Sequence, residues 1–278
     1  MYLRPRTLQE AVAALAQHRA QILAGGTDFF PALGERPVTM PVVDISAITE
    51  LRGISNEPDY VSIGGLTTWS EIIRTPLAPC FDGLKAAARE VGSVQIQNRG
   101  TVAGNLCNAS PAADGIPPLL ALDAEVELVS EAGTRRLPLS EFVKGNRKTV
   151  RRPDEMLARI LVPRGLENAR SVFLKLGARR YLVISIVMVA AVVQADSNGK
   201  VVRARVAVGS CSAAAQRLYE LERDLAGKNL RTRLSDFVVP AHLSGLSPID
   251  DVRAPATYRQ DAALTLVRRA LDACTEGS

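Results

Sequence analysis

The chain has 278 residues, of which 47% are hydrophobic and 23% are charged, and its formal net charge at pH 7 is +5. This length and composition exclude a disordered chain and predict about two globular domains. The small basic excess does not indicate a nucleic-acid partner, because the densest basic cluster, residues 147–152, contains no aromatic residue. The longest apolar run, residues 181–195, is shorter than the roughly 20 residues that span a bilayer, so no membrane helix is expected.

Cysteine and histidine are too few and too scattered for several kinds of site. The four cysteines, at positions 80, 107, 211 and 274, form no Cys-x-x-Cys pair, which argues against a disulfide framework, a zinc site and an iron–sulfur cluster. With only His18 and His242 available, a Ser/His triad or a histidine-built metal site is not expected. The N-terminal segment shows no signal-peptide pattern, so the expected location is the cytoplasm.

The N-terminal region predicts a helix, a strand and then a glycine turn. Thr7 and Glu10 form a capping-box pattern ahead of a helix that ends near residue 17, and residues 21–24 form a short apolar strand. Gly25-Gly26-Thr27-Asp28 follows at once, before the apolar residues 29–33. Such a turn builds a nest of backbone N–H groups that can hold a phosphate, although an ordinary strand-to-helix turn has the same pattern. It is neither a P-loop nor a Gly-x-Gly-x-x-Gly motif.

The chain continues with strands at 42–45 and 60–63 and with helices at about 67–74 and 81–91. Residues 97–114 then combine Gly, Asn, Ser, Thr and Pro between a helix and the apolar run 117–122. This composition predicts an ordered loop pressed against a polar ligand, with a surface turn as the alternative. Cys107, within it, is interpreted as a small packing residue.

The second half of the chain is predicted to be rich in strands. Residues 124–130 and 135–139 form a hairpin, residues 156–162 form a further strand, and the polar residues 167–170 mark the main domain boundary. A strand at 172–176 follows, then a hairpin of 183–194 and 201–208, whose Asn198-Gly199 turn predicts type I′ geometry. Helices are expected at about 213–225 and 260–274.

Two segments together carry a family resemblance. Residues 22–29 (Ile-Leu-Ala-Gly-Gly-Thr-Asp-Phe) and residues 101–105 (Thr-Val-Ala-Gly-Asn), the latter followed by Ala109-Ser110-Pro111 and Asp114, resemble the FAD-binding medium subunit of molybdenum hydroxylases. This group contains xanthine dehydrogenase and CO dehydrogenase, and the resemblance covers nearly the whole chain. It implies an α+β protein with a PCMH-type FAD-binding fold of two subdomains, residues 1–54 and 55–168, plus a C-terminal antiparallel sheet with helices, residues 169–278.

The resemblance also implies which residues bind FAD. The first segment would wrap the pyrophosphate, the second would form another phosphate-side loop, and Asp114 would contact the cofactor through ribose hydroxyls. Val91, Leu157 and Lys175 match further contacts near the isoalloxazine or the adenosine. The full set implied is Ile22, Leu23, Ala24, Gly25, Gly26, Thr27, Asp28, Phe29, Val91, Thr101, Val102, Ala103, Gly104, Asn105, Asp114, Leu157 and Lys175. No catalytic residue and no metal ligand is expected.

Three positions depart from the family pattern. Ala103 stands where glycine is frequent, and a negative φ is predicted there because a methyl group at positive φ would cost about 1–2 kcal/mol. Gln97 replaces a frequent arginine, and Val183 stands where aspartate is common before Ile-Ala. The chain lacks the cysteine-bearing insertion of benzoyl-CoA-type reductases, which disfavours that subgroup.

The resemblance implies a function in electron transfer. The chain would carry FAD, receive electrons from the clusters of a small [2Fe–2S] subunit that serves a large molybdopterin subunit, and pass them to an external acceptor. A heterotrimer, or a dimer of heterotrimers, is expected. One alternative is a self-contained flavin-dependent reductase or oxidase, for which Arg179, Arg180 and Tyr181 are the suggestive group, with a strand edge as their competing interpretation. The other is a nucleotide-binding or structural subunit without flavin, to which Gln97 and Ala103 would point.

Overall fold

The computed structural model describes residues 1–275. Its N-terminal part is a three-stranded parallel sheet in the order β1-β3-β2, with one longer helix against it. Thr7 and Glu10 form the predicted reciprocal capping box, and the apolar face of the helix is buried on the sheet. The elements are β1 (Tyr2–Leu3), α1 (Leu8–Gln17), β2 (Gln21–Leu23), α2 (Phe29–Leu33) and β3 (Val42–Asp44).

A five-stranded antiparallel sheet in the order β4-β5-β10-β6-β7 follows, covered by short helices. The predicted hairpin of β6 and β7 is confirmed, and Trp69, Phe81 and Phe142 are the largest apolar side chains in the core beneath the helices. The elements are β4 (Ile54–Asn56), β5 (Tyr60–Gly64), α3 (Trp69–Arg74), α4 (Asp82–Glu90), α5 (Val94–Gln97), α6 (Val102–Asn108), α7 (Ile116–Ala121), β6 (Glu125–Ser130), β7 (Gly133–Pro138), α8 (Leu139–Phe142), β8 (Val143–Gly145), β9 (Lys148–Thr149) and β10 (Met156–Pro163).

The prediction of a continuous loop over residues 97–114 is wrong, because α6 lies within it. Thr101 caps this helix through its Oγ, which accepts a hydrogen bond from the Gly104 N–H at 3.0 Å. Val102 and Leu106 are completely buried, so their packing stabilises a helix that the Gly and Asn content does not predict. Ala103 lies inside α6 and is not among the residues with positive φ, which confirms the prediction for its backbone.

The C-terminal part is a four-stranded antiparallel sheet in the order β11-β12-β13-β14 with two helices on one face. The opposite face, which includes Phe173, Met188 and Ala190, shares one hydrophobic core with the five-stranded half of the molecule. The elements are β11 (Arg170–Leu176), β12 (Val187–Ala195), β13 (Val201–Gly209), β14 (Gln216–Arg217), α9 (Tyr219–Leu225) and α10 (Ala256–Thr275).

Two predicted boundaries in this part are wrong. β12 begins at Val187 instead of residue 183, because the chain before it forms an irregular loop with Leu182 at φ +52°. Arg179, Arg180 and Tyr181 therefore lie in that loop and not at a strand edge. α9 begins at Tyr219 instead of residue 213, since the preceding residues pair with β13 as the short strand β14.

The hairpin of β12 and β13 is confirmed, but its turn is not type I′. Only Gly199 has a positive φ, of 77°, and the register shifts between Gln194 and Ala195. The Asp196 carboxylate accepts hydrogen bonds from the N–H groups of Asn198 and Lys200, both at 2.9 Å. The aspartate therefore selects a longer turn with one left-handed glycine, a geometry that favours a bulge. Among residues 1–275, no helix is long and apolar enough to cross a membrane.

Candidate functional site

A cleft of about 1910 Å³ opens in the described part of the chain. It is larger than the roughly 300–1,000 Å³ of an ordinary small-ligand pocket, so it has room for an extended ligand such as a dinucleotide. Its walls include the glycine turn after β2, the start and end of α6, and the loop before β12. The parts of the chain that the sequence singled out thus face one another across a single space.

The first predicted segment is in direct contact with Arg99 and Gly100, just before the second segment, beside the cleft. An added Cβ at Gly25 would lie 1.9 Å from the carbonyl oxygen of Arg99, so only glycine allows this approach. Gly26 has a φ of +78°, which turns the chain sharply after β2. Gly100 also approaches the turn, less closely, since a Cβ there would be 3.3 Å from the Thr27 Oγ. The turn and the start of α6 therefore form one wall.

This wall offers unpaired polar groups to the cleft. Within the described part of the chain, the backbone N–H groups of Gly25, Gly26, Thr27 and Asp28 make no hydrogen bond to another backbone group. The Oδ1 atom of Asn105 is buried and lacks a partner among residues 1–275. Neutral donors held in fixed positions suit the oxygens of a diphosphate, and an orphaned buried amide indicates a missing polar neighbour. The residues present therefore fit FAD.

Asp114 is the best-connected acidic group of the cleft. Its Oδ2 accepts a hydrogen bond from Lys175 Nζ and its Oδ1 accepts one from Ser185 Oγ, both at 2.6 Å. Burial raises the pKa of Asp114 above its usual range, against the opposing effect of the Lys175 ammonium. Lys175 Nζ also donates to the carbonyl of Glu90 at 3.3 Å, which ties β11 to the end of α4.

Most of the predicted FAD contacts line the cleft, and three do not. Leu23 and Val102 point into the core beneath the wall, and Lys175 reaches the cleft only through Asp114. The predicted residues that line it are Ile22, Ala24, Gly25, Gly26, Thr27, Asp28, Phe29, Val91, Thr101, Ala103, Gly104, Asn105, Asp114 and Leu157.

Other lining residues were not predicted from the sequence. Asn146, Arg147 and Arg151 add polar and basic side chains to the lining, a role that the basic cluster of residues 147–152 does not predict. Leu182, Val183 and Ile184 border another part, and no sequence signal places this loop there. Cys107 also lines the cleft, and burial raises the pKa of its thiol to about 11, in agreement with a packing residue.

Comparison with known proteins covers both halves of the chain. Residues 1–165 match the family model described as the FAD binding domain in molybdopterin dehydrogenase, and residues 173–274 match the CO dehydrogenase flavoprotein C-terminal domain. The chain is 30% identical over 269 residues to the nicotinate dehydrogenase FAD-subunit of Eubacterium barkeri, covering 94% of this chain and 91% of the relative. It is 30% identical over 277 residues to the carbon monoxide dehydrogenase medium chain of Hydrogenophaga pseudoflava, covering 98% and 96%.

Solved structures agree with the sequence matches. Reconstituted CO dehydrogenase from Oligotropha carboxidovorans contains a chain that matches with a TM-score of 0.92 at 28% identity, covering 100% of this chain and 98% of that one. Quinoline 2-oxidoreductase from Pseudomonas putida 86 matches with a TM-score of 0.88 at 28% identity, covering 99% and 96%. A family model that spans more than half of the chain, together with relatives aligned over nearly their whole length, shows that the chain belongs to the FAD-binding family of molybdopterin dehydrogenases.

Proposed function

We propose that this chain is the FAD-carrying electron-transfer subunit of a molybdenum- and [2Fe–2S]-containing dehydrogenase or hydroxylase. The observation that carries the proposal is the wall formed by the glycine turn and the start of α6, where unpaired N–H groups line a cleft of dinucleotide size. Family membership and the FAD-subunit relatives support it. When bound, FAD supplies the redox chemistry, because it can accept electrons from one carrier and give them to another.

The chain's own residues would bind and orient the cofactor. Backbone N–H groups of residues 25–28 would hold the diphosphate, and each hydrogen bond to a charged oxygen is worth roughly 1.5–3 kcal/mol. Asn105 would supply a further polar contact, and Asp114 would accept hydrogen bonds from sugar hydroxyls. Val91 and Leu157 would pack against a flat ring and keep water from it. The other proposed contacts are Ile22, Ala24, Phe29, Thr101, Ala103 and Gly104, whereas Leu23, Val102 and Lys175 would support the site without lining the cleft.

The domain organisation follows from the same proposal. Residues 1–54 would form the first FAD-binding subdomain, residues 55–168 the second, and residues 169–278 the C-terminal α+β domain. The FAD-binding cleft would then draw residues from all three units, because Gly25, Thr101 and Val183 all line it. None of these residues needs to act as an acid, a base or a nucleophile toward an organic substrate.

The relatives indicate the kind of assembly. They are named as chains or subunits of larger enzymes, such as the carbon monoxide dehydrogenase medium chain and the 6-hydroxypseudooxynicotine dehydrogenase complex subunit alpha. We therefore propose that this chain has partner subunits, namely a large molybdopterin subunit and a small [2Fe–2S] subunit, in a heterotrimer or a dimer of heterotrimers. The proposed location is the cytoplasm.

Metal and flavin analysis of the tagged chain, purified gently from its natural host, tests this proposal. The expected result is FAD, molybdenum and iron in fixed ratios, together with two co-purifying polypeptides. Flavin without molybdenum or iron, combined with turnover of an organic substrate by the chain alone, would instead support a self-contained flavoenzyme. A chain that holds no flavin, even after incubation with FAD, would overturn both functions.

A further inference from the structure

Ser185 carries a buried hydroxyl that does not line the cleft but binds Asp114, which does. It is completely buried, and its Oγ donates to Asp114 Oδ1 at 2.6 Å. Lys175 Nζ donates to the other carboxylate oxygen, also at 2.6 Å. Lys175 lies on β11 and Ser185 lies just before β12, so the C-terminal sheet holds both oxygens of a carboxylate that belongs to the other half of the molecule.

Two arginine side chains hold the backbone at Ser185 and Ile186. Arg253 Nη1 donates to the Ser185 carbonyl at 3.1 Å, and Arg259 Nη1 donates to the Ile186 carbonyl at 2.6 Å. Both guanidinium groups also bind the carboxylate of Asp251, and the Arg259 side chain is only 1% exposed. Two arginines that share one aspartate therefore hold the backbone of residues 185 and 186, which fixes the position from which the Ser185 hydroxyl reaches Asp114.

The ionisation of a buried carboxylate depends strongly on the hydrogen-bond donors around it. Burial raises the pKa of Asp114, the nearby Glu90 carboxylate on α4 raises it further, and the bonds from Lys175 and Ser185 lower it. Each oxygen keeps a second acceptor position after the bond it already makes. With one donor on each oxygen, the carboxylate plane is fixed, and the remaining acceptor positions can face the cleft that Asp114 lines.

We propose that Ser185 is a positioning residue of the cofactor site, whose hydroxyl sets the orientation in which the Asp114 carboxylate accepts hydrogen bonds from FAD. This inference rests on the proposed role of Asp114 in FAD binding. Ser185 itself is not required to touch the cofactor. Its effect is transmitted through Asp114 alone, and this distinguishes it from a residue that only holds the two halves of the molecule together.

Ser171 provides a matched control. Its Oγ also joins the C-terminal sheet to the other half, because it accepts from the Gly83 N–H at 2.7 Å and donates to the Pro79 carbonyl at 3.2 Å. It does not line the cleft. Ser171→Ala therefore removes a hydroxyl that also joins the two halves of the molecule but makes no bond to Asp114.

The experiment titrates the flavin-free chain with FAD at several pH values and monitors binding by flavin fluorescence. The proteins compared are the wild type, Ser185→Ala, Ser171→Ala and Asp114→Asn. Ser185→Ala is expected to raise the Kd about tenfold, and its affinity is expected to fall at a higher pH than that of the wild type as acid is added. This direction follows because losing the Ser185 donor raises the pKa of Asp114 further. Asp114→Asn should bind weakly with a flat pH profile, and Ser171→Ala should match the wild type.

Each other outcome gives a definite answer. If Asp114→Asn binds weakly while Ser185→Ala matches the wild type in Kd and pH profile, the role of Ser185 is refuted and the proposed FAD site stands. If Asp114→Asn matches the wild type, the role of Asp114 in FAD binding fails, and that of Ser185 fails with it. If Ser185→Ala does not fold, Ser185→Cys decides, because the thiol has a similar size but donates weakly, so the same shift in pH profile is expected.

Discussion

Replacing Gly25 with alanine tests the contact between the two segments of the FAD wall. The new Cβ would lie 1.9 Å from the Arg99 carbonyl oxygen and 2.7 Å from its carbonyl carbon, whereas real Cβ atoms essentially never approach within 3.0 Å. Both neighbours are backbone atoms, which cannot rotate away, so the turn and the start of α6 must separate by about 1 Å. Overpacking of this kind costs roughly 1–3 kcal/mol of the free energy of unfolding.

The separation also moves N–H donors away from the diphosphate. Losing one hydrogen bond to a charged oxygen, at roughly 1.5–3 kcal/mol, corresponds to roughly a 10- to 100-fold increase in the Kd for FAD. Fluorescence titration measures this change, and thermal unfolding with and without FAD checks it, because bound ligand stabilises the folded state. Gly245→Ala is the control, since a Cβ there meets only Gln216 Oε1 at 3.8 Å. If Gly25→Ala binds FAD and unfolds like Gly245→Ala, the close contact does not exist.

Three further variants or treatments test other parts of the structure. Arg217→Met should lower the free energy of unfolding by roughly 3–5 kcal/mol, because Glu222 would remain buried without its partner. The control Arg223→Met removes one side of an exposed pair and should change this free energy by less than about 1 kcal/mol. Urea unfolding monitored by Trp69 fluorescence measures both variants. Hydrogen bonds from Arg253 hold the pKa of Asp251 far below its usual range, so its stabilising effect is present above about pH 4 and is lost in acid. Asp251→Asn should therefore flatten the acid side of the stability profile, and an unchanged profile would contradict this. Burial keeps the thiol of Cys107 protonated, so iodoacetamide at pH 8 should label the native chain slowly and the denatured chain fast, and rapid native labelling of Cys107 would be inconsistent with this packing.

Local sequence patterns predicted the structure correctly where it depends on residues close together in the chain. The capping box of Thr7 with Glu10 is formed as its spacing predicts, since the reciprocal bonds lie within one turn. The same approach failed at α6, where tertiary burial of Val102 and Leu106 outweighs the turn-forming composition. It also failed at the turn of residues 196–199, where the side chain of Asp196 selects the geometry.

The sequence predicted the two segments of the FAD site but not the hydrogen bonds that connect Asp114 to the C-terminal sheet. The family resemblance assigned residues 22–29 and 101–105 to one site, and the structure places Gly25 against Arg99 and Gly100, just before the second segment. The bond between Ser185 and Asp114 joins residues 71 positions apart, and it depends on an irregular loop that the sequence presented as the beginning of a strand. No periodic pattern encodes such a contact, because it arises only when the C-terminal sheet packs against the other half.

The number of FAD molecules that one flavin-free chain binds at saturation tests the central claim most directly. Equilibrium dialysis with FAD measures it, and Gly25→Ala at the same protein concentration serves as the comparison. One FAD per wild-type chain, with clearly weaker binding to the variant, is the predicted result. An absence of saturable binding by the folded wild-type chain, or equal affinity in the two proteins, would contradict the assignment of FAD to this cleft.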